Sequence, residues 1–202
     1  MKKLSDNLSA VLVQSDIIPA DKEKQCQYGL ELMLSSVLEI LFVIVLSAFC
    51  GNFAQTLIFF ASFIPLRIYA GGYHADTRLR CFLILVVIYI LFTVLLKILP
   101  ADTYQYIIYG ATVFTVIVVL SMAPLVHNRK NMNDKEIKSF RKIALSICFF
   151  ETALTVIGSL FFKNNIYILS FVIGQISVTV SMVAADIKNK LQEKGGETNE
   201  KC

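Results

Sequence analysis

Six apolar runs, at residues 30–50, 53–66, 82–99, 104–124, 143–162 and 166–185, alternate with short polar breaks along the chain. A helix needs about 20 apolar residues to cross the ~30 Å hydrocarbon core of a bilayer. Five of the runs have about that length. The run from Phe53 to Leu66 is shorter and has Pro65 at its end, so it is expected to tilt little or to fall short of one face. A different pattern precedes them. Leu4, Leu8, Val11 and Leu12 recur at helical spacing with Asp6, Asn7 and Gln14 opposite, which predicts an interfacial helix over about 4–18. Pro19 interrupts it, and Asp21 with Glu23 marks the start of the next helix. Ser5, Asp6, Asn7 and Ser9 break the stretch after Lys2-Lys3, so no apolar core of a cleaved signal peptide is expected. The pattern as a whole predicts an all-α fold, a polytopic membrane helical bundle forming a single integral-membrane domain over 1–188. Residues 189–202 read as a flexible polar tail.

Polar residues inside the runs refine this picture. Gln27, Glu31, Ser35 and Glu39 are spaced by four and form one stripe along the first membrane helix. A carboxylate facing lipid is costly, so the stripe faces protein or water. It is either a packing stripe or the lining of a cavity. In the sixth run, Ser170, Gly174, Ser177 and Ser181 recur at the spacing of close helix contact. Tyr104, Tyr106 and Tyr109 suit an interfacial belt.

Composition agrees with a lipid environment: 56% of residues are hydrophobic and 17% charged, with a mean hydropathy of +0.66. The net charge of +4 then reads as topology rather than as nucleic-acid binding. Six crossings put both termini, the 67–80 stretch and the 126–142 loop on one side, and that side carries 17 of the 19 Lys and Arg residues. The other side has Lys97 and Lys163. Basic loops stay in the cytoplasm, so the protein is expected in the cell membrane with its termini, His74 and Cys81 on the cytoplasmic side. Asn133 and Glu136 resemble a capping signal, so part of the basic loop is expected to form an amphipathic helix.

Candidate chemistry is concentrated between the second and third runs. Cys26, Cys50, Cys81, Cys148 and Cys202 show no metal spacing, and there is no HExxH. No metal or cofactor is expected. Cys50 and Cys148 sit in apolar runs and read as packing residues. Disulfides at Cys26, Cys81 and Cys202 are not expected in a reducing compartment. Cys81 follows the polar stretch Arg67…Gly71-Gly72-Tyr73-His74-Ala75-Asp76-Thr77-Arg78-Leu79-Arg80. A free thiol titrates near 8.5. Arg78, Arg80 and a helix start capped by Asp76 or Thr77 favour its thiolate, and His74 is placed to act as base. In one straight helix the two side chains would stand about 10 Å apart along the axis, against ~3 Å for proton transfer. A dyad therefore requires the helix to begin after His74. Gly71-Gly72 gives the preceding chain the freedom to fold back. Taken singly, Arg67, Arg78 and Arg80 are by default topology anchors. His127 is by default a solvated loop residue, and it is the other imidazole available to Cys81. A small transporter or channel subunit is the alternative reading, supported by Glu39 inside the membrane and opposed by the lack of an inverted repeat.

The run Arg67…Gly71-Gly72-Tyr73-His74-Ala75…Cys81 resembles the signature of the accessory gene regulator protein B family, AgrB. Tyr28-Gly29-Leu30-Glu31 and Ala123-Pro124 resemble two further landmarks of that family, and the similarity covers nearly the whole chain. The resemblance implies a membrane cysteine endopeptidase that processes the precursor of a quorum-sensing peptide, an AgrD-like propeptide. Cys81 would attack the bond before the precursor's C-terminal tail with His74 as base, leaving a thioester that closes to a thiolactone or lactone. It also implies that Arg67 and Gly72, with Gly71, support the site. Glu39 and Asp76 are candidates for a third group. Arg129 and Lys130, in the basic loop, either grip the precursor's acidic tail or enforce topology. The expected partners are the propeptide and the bilayer, with no nucleic acid, and a homo-oligomer is compatible with the pattern.

Overall fold

The computed structural model describes residues 2–15, 23–72, 78–125 and 134–199. Seven helices carry the described chain: α1 (Lys2–Gln14), α2 (Glu23–Cys50), α3 (Phe53–Ala70), α4 (Arg78–Ile98), α5 (Tyr104–Met122), α6 (Asp134–Phe161) and α7 (Ile166–Asn199). A short 3-10 turn, Ala101–Thr103, leads into α5. Helices α2 to α7 are long and apolar enough to cross a membrane, and the chain is an all-α, multi-pass membrane protein. No strands occur among the described residues.

The helix bounds differ from the sequence pattern in physically clear ways. α3 does not stop at Pro65 but runs on to Ala70. Proline removes one backbone bond, here the one to the Ala61 carbonyl, and membrane helices tolerate that loss when the helix is held by its neighbours. Leu66 and Ala70 are both fully buried, in a cluster with Val118, Val119, Ala123 and Met182. The extra turn brings Arg67 inside the helix. α6 begins at Asp134, so residues 134–142 of the basic segment and the fifth span form one continuous helix; residues 126–133, Asn133 among them, lie outside the described residues. α7 continues through Asn199, where the sequence led to the expectation of a flexible tail from 189. Its polar end is helical, with Lys190 and Asp186 paired at 2.6 Å one turn apart. Tyr104 turns inward and is buried, whereas Tyr106 is exposed.

α7 is the central element and packs against α3, α4, α5 and α6. Its closest approach is to α3. A Cβ on Gly174 would strike the Ser62 hydroxyl and the Phe59 carbonyl, and Ser62 Oγ donates to the Phe171 carbonyl at 2.6 Å. Small residues are needed here because lipid supplies no hydrophobic drive between helices, so close backbone contact must hold them. Two apolar clusters stack along the bundle. One surrounds Phe59, Phe92, Ile108 and Leu169; the other surrounds Leu66, Val119, Cys148 and Met182 near the α3–α4 junction. At the opposite end Tyr89 donates to Asn52 Oδ1 at 2.9 Å, and Asn52 Nδ2 donates to Thr93 at 3.0 Å. These bonds tie the α2–α3 turn to α4. α1 packs on α2, where Gln27 of the polar stripe donates to Asp6.

Candidate active site

The α3–α4 junction is built around the C-terminus of α3. The helix ends at Ala70, and Gly71 and Gly72 take φ of +84° and +143°. That backbone is open to glycine and strained for other residues. Ala70 accepts a hydrogen bond from the Leu125 amide at 2.9 Å, and Gly71 pairs with Leu125 as an isolated parallel bridge. The chain leaving α3 is thereby laid against the chain leaving α5, just past the cis Ala123-Pro124 bond. Two segments more than 50 positions apart in sequence form one short piece of backbone ladder.

Arg67, in the last turn of α3, folds back beneath this loop. Its Nη1 donates to the Gly71 carbonyl at 3.0 Å and to Ser181 Oγ of α7 at 3.2 Å. The guanidinium therefore links the end of α3, the glycine loop and α7. Gly72 lies directly over it. A Cβ there would collide with Arg67 Nη1 and Ser181 Oγ, and one on Gly71 would strike the Leu125 carbonyl. The glycines thus serve close approach as well as torsional freedom. The sequence reading missed Ser181 as a partner of Arg67 and counted it with the packing stripe. Only the pairing of an arginine at a helix end with a hydroxyl on another helix distinguishes it, and sequence does not show that pairing.

Cys81 is the fourth residue of α4 and is half-buried. Among the described residues, Arg67 and Glu39 are the charged groups close enough to act on its thiol. The edge-on contact of Phe42 with Phe82, ring centroids 5.3 Å apart, explains how α2 brings Glu39 to this level. Phe42 lies one turn beyond Glu39, and Phe82 adjoins Cys81. Arg67, Gly71, Gly72, Glu39 and Cys81 are thus drawn to one end of the bundle from α2, α3 and α4. His74, Asp76, Arg129 and Lys130, together with His127, lie outside the described residues. The start of α6 borders the same region: Tyr69 and Phe140 meet in a tilted ring contact with centroids 5.8 Å apart, and Arg141 Nη2 donates to the Leu120 carbonyl at 3.3 Å. Cys26, Cys50, Cys81 and Cys148 are free thiols.

Residues 5–182 match the family described as accessory gene regulator B. The chain belongs to that family. An AgrB-like protein of Listeria welshimeri is 28% identical over 183 residues, covering 83% of this chain and 89% of its own length. One from Clostridium perfringens is 25% identical, covering 77% and 82%. The protein FsrB of Enterococcus faecalis is 32% identical over a shorter stretch, 42% of this chain and 38% of its own. No solved structure matches. Both Gly71-Gly72 and Ala123-Pro124, which the sequence picks out separately, meet at the Gly71–Leu125 bridge in this AgrB-family chain.

A second polar cluster lies away from this junction and was not singled out in the sequence. Glu151 of α6 and Gln175 of α7 are 3% and 1% exposed, and Gln175 Nε2 donates to Glu151 Oε2 at 3.2 Å. Among the described residues Gln175 Oε1 has no hydrogen-bond partner. A carboxylate in the middle of an apolar run was available as a signal, as it was for Glu39.

Proposed function

We propose that this AgrB-family protein is a membrane cysteine endopeptidase acting on a quorum-sensing propeptide. The observation that carries this reading is the position of Cys81. It stands in the first turn of α4, at the bundle end where Arg67 clamps the glycine loop. A nucleophile at a helix start benefits from the helix dipole. His74 takes the thiol proton, and the sulfur attacks the carbonyl carbon before the precursor's C-terminal tail. The C–N bond breaks, the proton passes from His74 to the leaving amine, and the tail departs. The peptide remains as a thioester on Cys81. A Cys or Ser side chain within the peptide then attacks the same carbonyl and loses its proton. A thiolactone or lactone ring closes and the Cys81 thiol is restored. The acyl group stays activated throughout, so closure needs no ATP if water is kept away.

Arg67 is our candidate for stabilising the oxyanion, because preorganised positive charge at the attacked carbonyl is the largest single contribution in such reactions. Glu39 is the candidate for orienting His74, and Arg129 and Lys130 for holding the acidic tail. The distribution of basic residues supports a site on the cytoplasmic face. The test is co-expression with a candidate AgrD-like propeptide, following its cleavage and cyclisation by mass spectrometry. Cys81→Ala and His74→Ala are each expected to abolish processing while the protein still inserts. Processing that persists in either variant would overturn the mechanism and favour the transporter alternative.

A further inference from the structure

A groove of about 470 Å³ runs between α4 and α7, away from the α3–α4 junction toward the opposite end of the bundle. That is within the ~300–1,000 Å³ range of small-ligand sites. On α4 it is lined by Ile84, Ile88, Leu91 and Leu95, and on α7 by residues including Ser177, Val180 and Ser181. The α4 liners are spaced by four, three and four, and the preceding position of the same stripe, three residues before Ile84, is Cys81. At the same end on α7 stands Ser181, which accepts from Arg67. The Ile84–Ser181 end of the groove therefore lies one helical turn from Cys81 and beside the hydroxyl that accepts from Arg67, and the groove extends from there along α4 and α7.

Its walls select what can enter. The two hydroxyls that line it are committed to their own helix: Ser177 Oγ donates to the Ile173 carbonyl at 2.7 Å and Ser181 Oγ to the Val178 carbonyl at 2.8 Å. An extended backbone inside the groove would leave its amides and carbonyls unpaired in a lipid-like medium, at a cost of several kcal/mol per group. Apolar side chains or alkyl chains carry no such penalty. We infer that the groove is the acyl-side subsite of Cys81, selecting a substrate with large apolar side chains next to the carbonyl that the thiol attacks. This rests on the reading of Cys81 as nucleophile. The peptide backbone stays at the mouth, beside Gly71 and Arg67, while its side chains descend between Ile84 and Ser181. Lipid tails are as apolar as the groove, so the gain is one of placement rather than of hydrophobic transfer.

The test uses thiol alkylation, which needs no peptidase activity. Purified protein in phosphatidylcholine nanodiscs is treated with N-ethylmaleimide or N-octylmaleimide, and the octyl-to-ethyl rate ratio is measured at Cys81 and at Cys26 of α2. The ratio at Cys81 is expected to be about tenfold the ratio at Cys26, equivalent to ~1.4 kcal/mol. Ser177→Phe, which fills the groove, is expected to bring the two ratios together. Ile84→Trp, on the opposite and more exposed wall, serves as the second filling variant should Ser177→Phe fail to fold. Equal ratios in the wild type, or an octyl preference that survives both fillings, would overturn the subsite. A preference present in detergent and lost in the nanodiscs would identify a lipid chain as the occupant and overturn the assignment to the peptide. Failure of the enzymatic reading itself shows separately, as processing that persists in Cys81→Ala.

Discussion

Arg67 joins three segments through one side chain, so substitutions around it should act through geometry rather than through loss of fold. Gly72→Ala places a methyl where the guanidinium and Ser181 Oγ stand, at a φ of +143° that other residues rarely adopt. The loop must shift, and a displacement of about 1 Å in a catalytic site can cost ~100-fold in rate. We expect Gly72→Ala to lower propeptide processing by about that factor with membrane insertion intact; wild-type processing rates in this variant would remove Gly72 from the site. Arg67→Lys separates charge from shape. Lysine keeps the charge but loses the planar fork that reaches Gly71 and Ser181 together. If Arg67 contributed only topology, Arg67→Lys would process normally. We expect it instead to fall at least tenfold, with Ser181→Thr closer to wild type than Ser181→Ala because threonine retains the accepting hydroxyl.

The helices themselves were mostly legible as apolar runs, since membrane helices must be long, apolar and internally hydrogen-bonded. Their ends were not. Nothing local to Pro65 says that Leu66 and Ala70 are buried by α5 and α7, and that burial carries α3 on to Arg67's position. The basic segment joins α6 because its start packs through Phe140 and Arg141 on α3 and α5, contacts between residues distant in sequence. The Arg67–Ser181 link and the Gly71–Leu125 bridge are likewise tertiary, so the sequence marked the residues without showing which of them touch. Glu151 illustrates the converse, a visible signal left unread. Its carboxylate accepts from Gln175 between α6 and α7, and Gln175 already has one buried oxygen without a partner among the described residues. Glu151→Leu would strand the Gln175 amide as well, and leaving a buried polar group unpaired costs about 1–3 kcal/mol. Glu151→Gln keeps an accepting oxygen. Thermal denaturation in detergent should show the leucine variant distinctly less stable than the glutamine variant. Equal melting temperatures would mean that the pair contributes nothing to packing.

At the scale of the whole molecule, the proposed peptidase needs its site on the face where a propeptide is made, so orientation is the property to test directly. The basic residues are sorted to one end. Arg67, the first residues of α4 and the start of α6 lie at the end that carries the candidate site, whereas Lys97 and Lys163 stand at the far ends of α4 and α6. Positive charge near membrane segments is retained in the cytoplasm, and six spans return the chain to the side on which it began. In a variant with all five native cysteines replaced by alanine, single cysteines at exposed positions report the two faces: Lys138→Cys near the start of α6 and Lys163→Cys beyond its end, both exposed in the fold. A membrane-impermeant maleimide applied to intact cells should label Lys163→Cys and spare Lys138→Cys, while lysed membranes label both. The reverse pattern would put Cys81 outside the cell. A propeptide would then have to be exported before it was cut, and the thioester would face an oxidising, water-rich compartment. Labelling of Lys163→Cys alone would place Cys81 on the side where ribosomes would supply the precursor of the proposed reaction.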